Sequence, residues 1–301
     1  MKKCLIWGCS LTYNNFRNLL MYEVLKKNIE IIAFVDKKPL CNKKEGLNII
    51  KKESIKDFHY DYIITFSNNK HKEIVEDAKS VGIDENKLID GSIFAKYNFD
   101  FKRYISLIEN PVTIISDDCF GAFTYKYLNL KYTSPLISTK IMEDDYLKFL
   151  ENFENYISSE LYLERPCDLD NNESLIASIR YKNEKVLLHY WHDINFEECQ
   201  SKWEIRKQRI NLENLLFKIT IRDPKNIERF ENLPFKNKIA FYHSNLNSKN
   251  IFVPKLYKKR FEDGLFMKFG YHEYIFDPKF MKREIDYFKL LNHEKDFALL
   301  E

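Results

Sequence analysis

The sequence lacks the signatures of several large protein classes. Its 301 residues hold only seven glycines, so a glycine-rich phosphate loop has little to draw on. Six cysteines stand at positions 4, 9, 41, 119, 167 and 199, and none forms a CxxC pair. That spacing argues against a zinc site of the paired-cysteine kind. A chain of this length does not need disulfide staples, so reduced thiols and a cytoplasmic location are expected. No apolar run approaches the roughly 18–20 residues that cross a bilayer. MKKCLIWGCS carries lysines and a short apolar run, without a long apolar core or a small-residue cleavage site, so no signal peptide is expected. The 48 basic and 45 acidic side chains leave a formal charge of +3. That is too weak for the clustered basic footprint of a nucleic-acid binder. The second half of the chain shows no internal repeat and no low-complexity segment.

Hydrophobic residues make up 45% of the chain and aromatics 15%, which supports packed cores and excludes disorder. The length predicts two domains. The patterning places them at 1–95 and 96–301, both α/β. The first reads as a Rossmann-like parallel sheet with helices on both faces. Cys4 to Trp7 forms a strand ending at Gly8, and a helical pattern follows through Phe16, Leu19, Leu20 and Val24. IEIIAFV ends at Asp36, and DYIITFS runs from Asp61 to Ser67 before a helix over 71–79. Strand and helix alternate, which requires parallel crossovers.

Ligands of such sheets sit beyond the C-terminal strand ends. Gly8, Ser10 and Asp36 fall there and are the candidate nucleotide-binding residues. Gly8 allows a tight turn, amides near Ser10 suit a phosphate, and Asp36 suits ribose hydroxyls. The alternative for Asp36 is a plain turn residue before KKP. WGCSLTYNN supplies one glycine where the dinucleotide fingerprint wants three, which argues against NAD and against S-adenosylmethionine. No cofactor is named.

The second domain reads as α/β with a mixed sheet. VTIIS is its first strand. EDDYLKFLENFENYI, Glu143 to Ile157, reads as one amphipathic helix with Tyr146, Phe149, Leu150, Phe153 and Ile157 on one face. ASIRY and KVLLHYW read as a hairpin across YKNE. LLFKITI and KIAFYHS read as buried strands, and DPKFMKREIDYFKLLNH as a closing amphipathic helix. That helix either docks on the core or lies on a membrane surface.

Chemistry concentrates in three places. VTIIS ends in Ser116, Asp117, Asp118, Cys119 and Gly121 where a helix begins. A carboxylate there caps the helix, or holds a divalent metal, or acts as a base, and Cys119 is a nucleophile candidate. HYWHD carries His189 and His192. They point to opposite faces of a strand, so their spacing does not make a metal pair. QSKWEIRKQRIN places Lys202, Arg206 and Arg209 on one helix face beside Trp203. Arginines in that position suit phosphate or carboxylate. His243, closing KIAFYH, is a further binding candidate. No set of metal ligands is expected.

IWGCS, IIAFVDKKP, DYIITFS and VGIDENKLI together resemble the small Rossmann-like domains of bacterial sugar-modifying proteins, including sugar acyltransferases. There a glycine-rich first loop holds a nucleotide-sugar. The segments TIISDDCFGAFTYKYLNLKYTSPL, DYLKFLENFENYI, VLLHYWHD, KWEIRKQRIN with NLLFKIT, and LPFKNKIAFYH resemble a bacterial domain of unknown function catalogued as nineteen-nineteen. The resemblance spans roughly Tyr104 to Ser244. That family reads Ser-x-Asn-Cys-Trp-Gly-Gly where this chain has SDDCFGA. Asp118 standing for an amide favours polar ligand contacts over a two-aspartate metal site. The resemblance implies a link to exopolysaccharide. A group transferase acting on a nucleotide-sugar or lipid-linked sugar is the leading expectation. A non-catalytic binding or scaffold protein of the same pathway is the alternative. The partner expected is a nucleotide-sugar or glycan small molecule, with self-association into a homo-oligomer left open.

Overall fold

A computed structural model describes residues 1–9, 11–37, 41–67, 71–169, 171, 173–244, 246, 248–255, 258 and 277–299. The chain forms two compact units, Met1–Ile108 and Glu109–Glu301. Their division falls later than residue 95. The reason is aromatic packing: Phe94 meets Phe99 at 4.8 Å and Phe101 at 6.2 Å between ring centroids. This draws the start of helix α3 (Phe101–Glu109) into the first unit.

In the first unit, β1 (Lys2–Trp7) leads through α1 (Leu11–Leu25) to β2 (Ile29–Val35). A short hairpin of β3 (Lys43–Lys44) and β4 (Leu47–Ile50) comes next. Then follow β5 (Tyr62–Thr65), α2 (His71–Ser80) and β6 (Leu88–Asp90). The sheet order is β3-β4-β2-β1-β5-β6. All neighbours pair parallel except the β3–β4 hairpin. β1 is therefore central, and the chain winds outward from it first to one side and then to the other. Leu5, Trp7, Ala33, Val35 and Ile63 pack with Ile74 and Ala78 of α2. Alternation turns Ile6, Phe34 and Ile64 to the opposite face, where Tyr13 of α1 meets Phe34 edge-on at 5.2 Å. Helices thus cover both faces.

The face α1 buries differs from the one its apolar residues suggest. Tyr13, Leu20 and Glu23 are buried, and Leu19 is 44% exposed. Tyr13 is held edge-on by Phe34 and Phe66. Glu23 accepts a 2.6 Å bond from Asn28 Nδ2 at the turn into β2. A polar residue fixes the helix rotation that periodicity assigned to Leu19.

The second unit distributes parallel and antiparallel pairing between two four-stranded sheets. One is wholly parallel, in the order β14-β13-β12-β7, from β7 (Thr113–Ser116), β12 (Leu215–Thr220), β13 (Lys238–Phe241) and β14 (Ile251–Phe252). The other is wholly antiparallel, in the order β8-β11-β10-β9, from β8 (Thr139–Lys140), β9 (Tyr162–Arg165), β10 (Leu175–Tyr181) and β11 (Glu184–Tyr190). β10 and β11 form the expected hairpin, with Lys182 at φ 54° in its turn. One core joins Ile115, Phe217 and Ile219 of the parallel sheet to Ala177, Ile179 and Leu188 of the antiparallel one.

Between these sheets lie α5 (Glu143–Glu151) and α6 (Phe153–Ser158), which the sequence presents as one helix. Asn152, at φ −131° and ψ 41°, breaks it. The break lets Phe153 meet Phe217 at 5.2 Å, perpendicular to its ring. α4 (Phe120–Tyr127) covers the other face of the parallel sheet, and α7 (Phe196–Lys207) and α8 (Asn226–Glu231) complete the middle of the unit. The closing helix is likewise two pieces, α9 (Pro278–Met281) and α10 (Tyr287–Leu291). Asp286 caps α10 by accepting from Phe288 and Lys289 at 3.1 Å, which is why the helix restarts there. Ile285, Phe288 and Leu291 are buried in the protein. Among the described residues no helix is long and apolar enough to cross a membrane.

Candidate functional site

The first unit has a cleft of about 390 Å³ at the C-terminal ends of β1, β2 and β5, with Gly8, Asp36 and Ser67 among its walls. It lies where the chain's winding changes side. Gly8 has φ +97°, and a Cβ there would stand 2.3 Å from the Phe66 carbonyl oxygen. Glycine is therefore demanded by backbone packing at this turn. Asp36 accepts the Cys9 thiol at 3.0 Å. Burial and that carboxylate push the Cys9 thiol up to about 12, so it stays protonated. Ser10 lies outside the described residues.

At the end of β7 the sequence's paired carboxylates meet a partner that the motif did not reveal. Asp117 accepts from Lys218 Nζ at 3.1 Å and from the Thr220 amide at 3.1 Å. Asp118 accepts from Lys218 Nζ at 2.5 Å and from the Thr220 hydroxyl at 3.2 Å. Its other oxygen accepts the Phe120 amide at 3.0 Å. Lys218 in turn donates to Thr220 Oγ1 at 2.8 Å. It lies against the rings of Phe120 and Phe241, 5.6 and 5.1 Å from their centroids. Exposure is 0% for Lys218, 1% for Asp117 and 4% for Asp118. The ammonium stands where a divalent ion would have to sit. Burial, and then the Asp118 charge, raise the Asp117 carboxyl to about 6.

This geometry revises two expectations and gives Gly121 a local role. Asp117 and Asp118 are sealed in a charge cluster, so neither is placed to take a proton from a sugar hydroxyl. Cys119 is buried too, 7% exposed, away from a substrate's reach. Gly121 serves the turn: its amide bonds Ser116 Oγ at 3.3 Å, and a Cβ there would lie 3.2 Å from that oxygen. Ser116 itself donates to the Asp118 carbonyl at 2.8 Å, which ties the loop to itself.

The remaining candidates lie on other elements. His189 of β11 pairs with Lys140 on the sheet face turned from the core. Burial, Lys140 and Arg165 lower its pKa. His192 is exposed just past β11. Asp193 accepts Lys202 at 2.6 Å. Trp203 is a core residue, 1% exposed, whose Nε1 donates to the Ser159 carbonyl at 3.0 Å. Arg206 is half-buried, and its Nη1 donates to the Ile137 carbonyl at 3.0 Å. Arg209 follows α7 and is exposed. The segment around β8 connects these places: Thr139 pairs with Tyr190, and the Ile141 amide donates to the Asp117 carbonyl at 2.9 Å.

His243 follows β13, its Nδ1 2.8 Å from Ser244 Oγ. It shares the C-terminal edge of the parallel sheet with Asp117, Asp118 and Arg222. The Arg222 Nε is buried without a hydrogen-bond partner among the described residues. Lys218, Thr220 and Arg222 were not among the sequence candidates. The signal for Lys218 was a lone lysine inside the apolar strand LLFKIT.

Two family models match the chain, and they meet between residues 89 and 90. The family described as "C2185-like, N-terminal" matches residues 1–89. A curated relative from Haemophilus influenzae, titled "Uncharacterized protein", is 28% identical over 191 residues, covering 62% of this chain and 87% of its own. The family described as "Domain of unknown function (DUF1919)" matches residues 90–292, over the region where SDDCFGA and the segments after it carry the resemblance. The chain belongs to the DUF1919 family.

Proposed function

We propose that the first unit binds a nucleotide-linked sugar and that the chain is a group transferase on such a sugar, or on a lipid-linked one, in bacterial surface-glycan assembly. The observation that carries this reading is the cleft at the ends of β1, β2 and β5, because doubly wound sheets bind nucleotides at that place. Asp36 is suited to the ribose hydroxyls. With Asp117 and Asp118 sealed, His192 is the exposed base candidate that the second unit itself offers. Arg206 has further guanidinium donors for an anionic group.

The sealed cluster also favours a second reading, a binding or scaffold protein of the same pathway that performs no chemistry. Calorimetric titration with UDP-, GDP-, CDP- and dTDP-sugars tests the first step. Chromatography for released nucleoside diphosphate, with sugar and lipid-linked acceptors present, tests the second. Binding with release that His192→Ala abolishes supports the transferase. Binding without release supports the scaffold. No binding at millimolar ligand overturns the nucleotide reading.

A further inference from the structure

The β1–α1 turn has one glycine, and Gly8 is fully used by its contact with the Phe66 backbone. The Gly8 amide is not available to a diphosphate either, because it donates to the Val35 carbonyl at 2.9 Å, and the described cleft walls do not replace it. Asp36, Glu73 and Asp77 line the cleft, and the one lysine among its described lining residues, Lys37, is paired with Asp77. Asp77 is shared by Lys37 and Lys52, but a diphosphate close to the Asp36 and Glu73 carboxylates would meet like charge. It would have to lie toward α1 and the β3–β4 hairpin.

Lys44 of that hairpin reaches this place. Its Nζ is 3.2 Å from the Cys9 carbonyl oxygen, 3.0 Å from Asn14 Oδ1 and 5.1 Å from the Tyr13 ring centroid. These partners are neutral. The neighbouring carboxylate, Glu45, is engaged by Arg17 at 2.5 Å. Among the described residues no carboxylate is within ion-pair distance of Lys44; its charge acts on Glu45 and Cys9 at longer range and gives this place a positive potential that an anion would meet. Asp36 and Lys44 flank one residue: Cys9 gives its thiol to the first and its carbonyl to the second. The 15-residue helix α1 starts beside them, and its N-terminal amides add to the positive potential. On the cleft side, the Ser67 hydroxyl is buried without a partner among the described residues.

We propose that Lys44 binds the diphosphate of the nucleotide, in place of the backbone amides of a glycine-rich turn, while Asp36 and Ser67 hold the nucleoside. This rests on the nucleotide reading of the cleft. The test is calorimetry of the full chain with uridine and UDP, and with the corresponding guanosine, cytidine and thymidine pairs. The proteins are wild type, Lys44→Met and Lys44→Arg.

For the base it accepts, wild type should prefer the diphosphate to the nucleoside. Lys44→Met should bind the diphosphate about 10–100-fold more weakly, with the nucleoside unchanged within about twofold. Its diphosphate affinity should also respond less to salt, and Lys44→Arg should retain most of the affinity. An unchanged melting temperature of the apo variant would show that its fold is intact. If Lys44→Met binds the diphosphate as wild type does, the inference falls and the nucleotide reading stands. If wild type binds no member of the panel, the nucleotide reading falls and the inference with it.

Discussion

Replacing Lys218 by Met would leave two buried carboxylates without their cation. Lys218 is fully buried and within hydrogen-bond distance of both Asp117 and Asp118. Removing one partner of a buried ion pair costs roughly 3–5 kcal/mol, because the remaining charge is desolvated and unpaired. For a domain of 150–250 residues, 1 kcal/mol moves the melting temperature by about 2–4 °C. The expected loss is therefore roughly 6–20 °C at pH 7. Acid should shrink it, since protonated aspartates need no cation. The triple variant Lys218→Met/Asp117→Asn/Asp118→Asn should regain much of the loss, because it removes the stranded charges. Scanning calorimetry at pH 7 and 4.5 measures all three proteins. The reasoning is refuted if Lys218→Met costs under about 1 kcal/mol, if its deficit is independent of pH, or if the triple variant is no more stable than the single one.

Other perturbations probe neighbouring parts of the molecule. Asp117 has its folded carboxyl raised to about 6, above the unfolded value of about 3.9. The folded state holds that proton more tightly, so this contribution is present at low pH and is lost as pH rises through 6. Asp117→Asn should remove that decline, as urea unfolding between pH 4 and 7 would show. Glu164 has the opposite sign: hydrogen bonds from Lys185, Ser178 and Arg180 hold its carboxyl at about 2. Its contribution is present above the unfolded value of about 4.3 and is lost as pH falls toward 2. Glu164→Gln should flatten the acid limb of the stability profile. Gly8→Ala forces a positive φ and a clash with Phe66, so urea unfolding should show a destabilised first unit, by at least about 1–3 kcal/mol. Lost nucleotide binding in that variant would report folding, which makes Asp36→Asn the better probe of the cleft. Asp286→Ala should cost about 1 kcal/mol by uncapping α10, read as a lowered urea midpoint.

The sequence by itself determined the elements with strong local patterns. IEIIAFV, DYIITFS and KIAFYH are predominantly apolar runs bounded by polar or turn residues, and each became a parallel strand. YKNE between two alternating runs became a hairpin turn. The alternation of strand and helix made the parallel pairing of β1 with β2 and of β5 with β6 legible, because a crossover helix joins each pair. Gly8, Asp36 and Ser67 were legible as strand-end residues for the same reason.

Tertiary structure decided what local pattern could not carry. The helical periodicity of 143–157 continues through Asn152, and only the chance for Phe153 to pack on Phe217 shows why the chain breaks there. Phe16, Leu19, Leu20 and Val24 formed a plausible inner face of α1, yet Tyr13 and Glu23 were buried because their partners come from distant strands and the next turn. Asp117 and Asp118 read as a capping or metal-binding pair, since adjacency in sequence was visible and Lys218, about a hundred residues later, was not. Parallel pairing of β7 with β12 puts that lysine against them. A buried carboxylate is defined by what neutralises it, and here the neutralising charge arrives only when the sheet has formed.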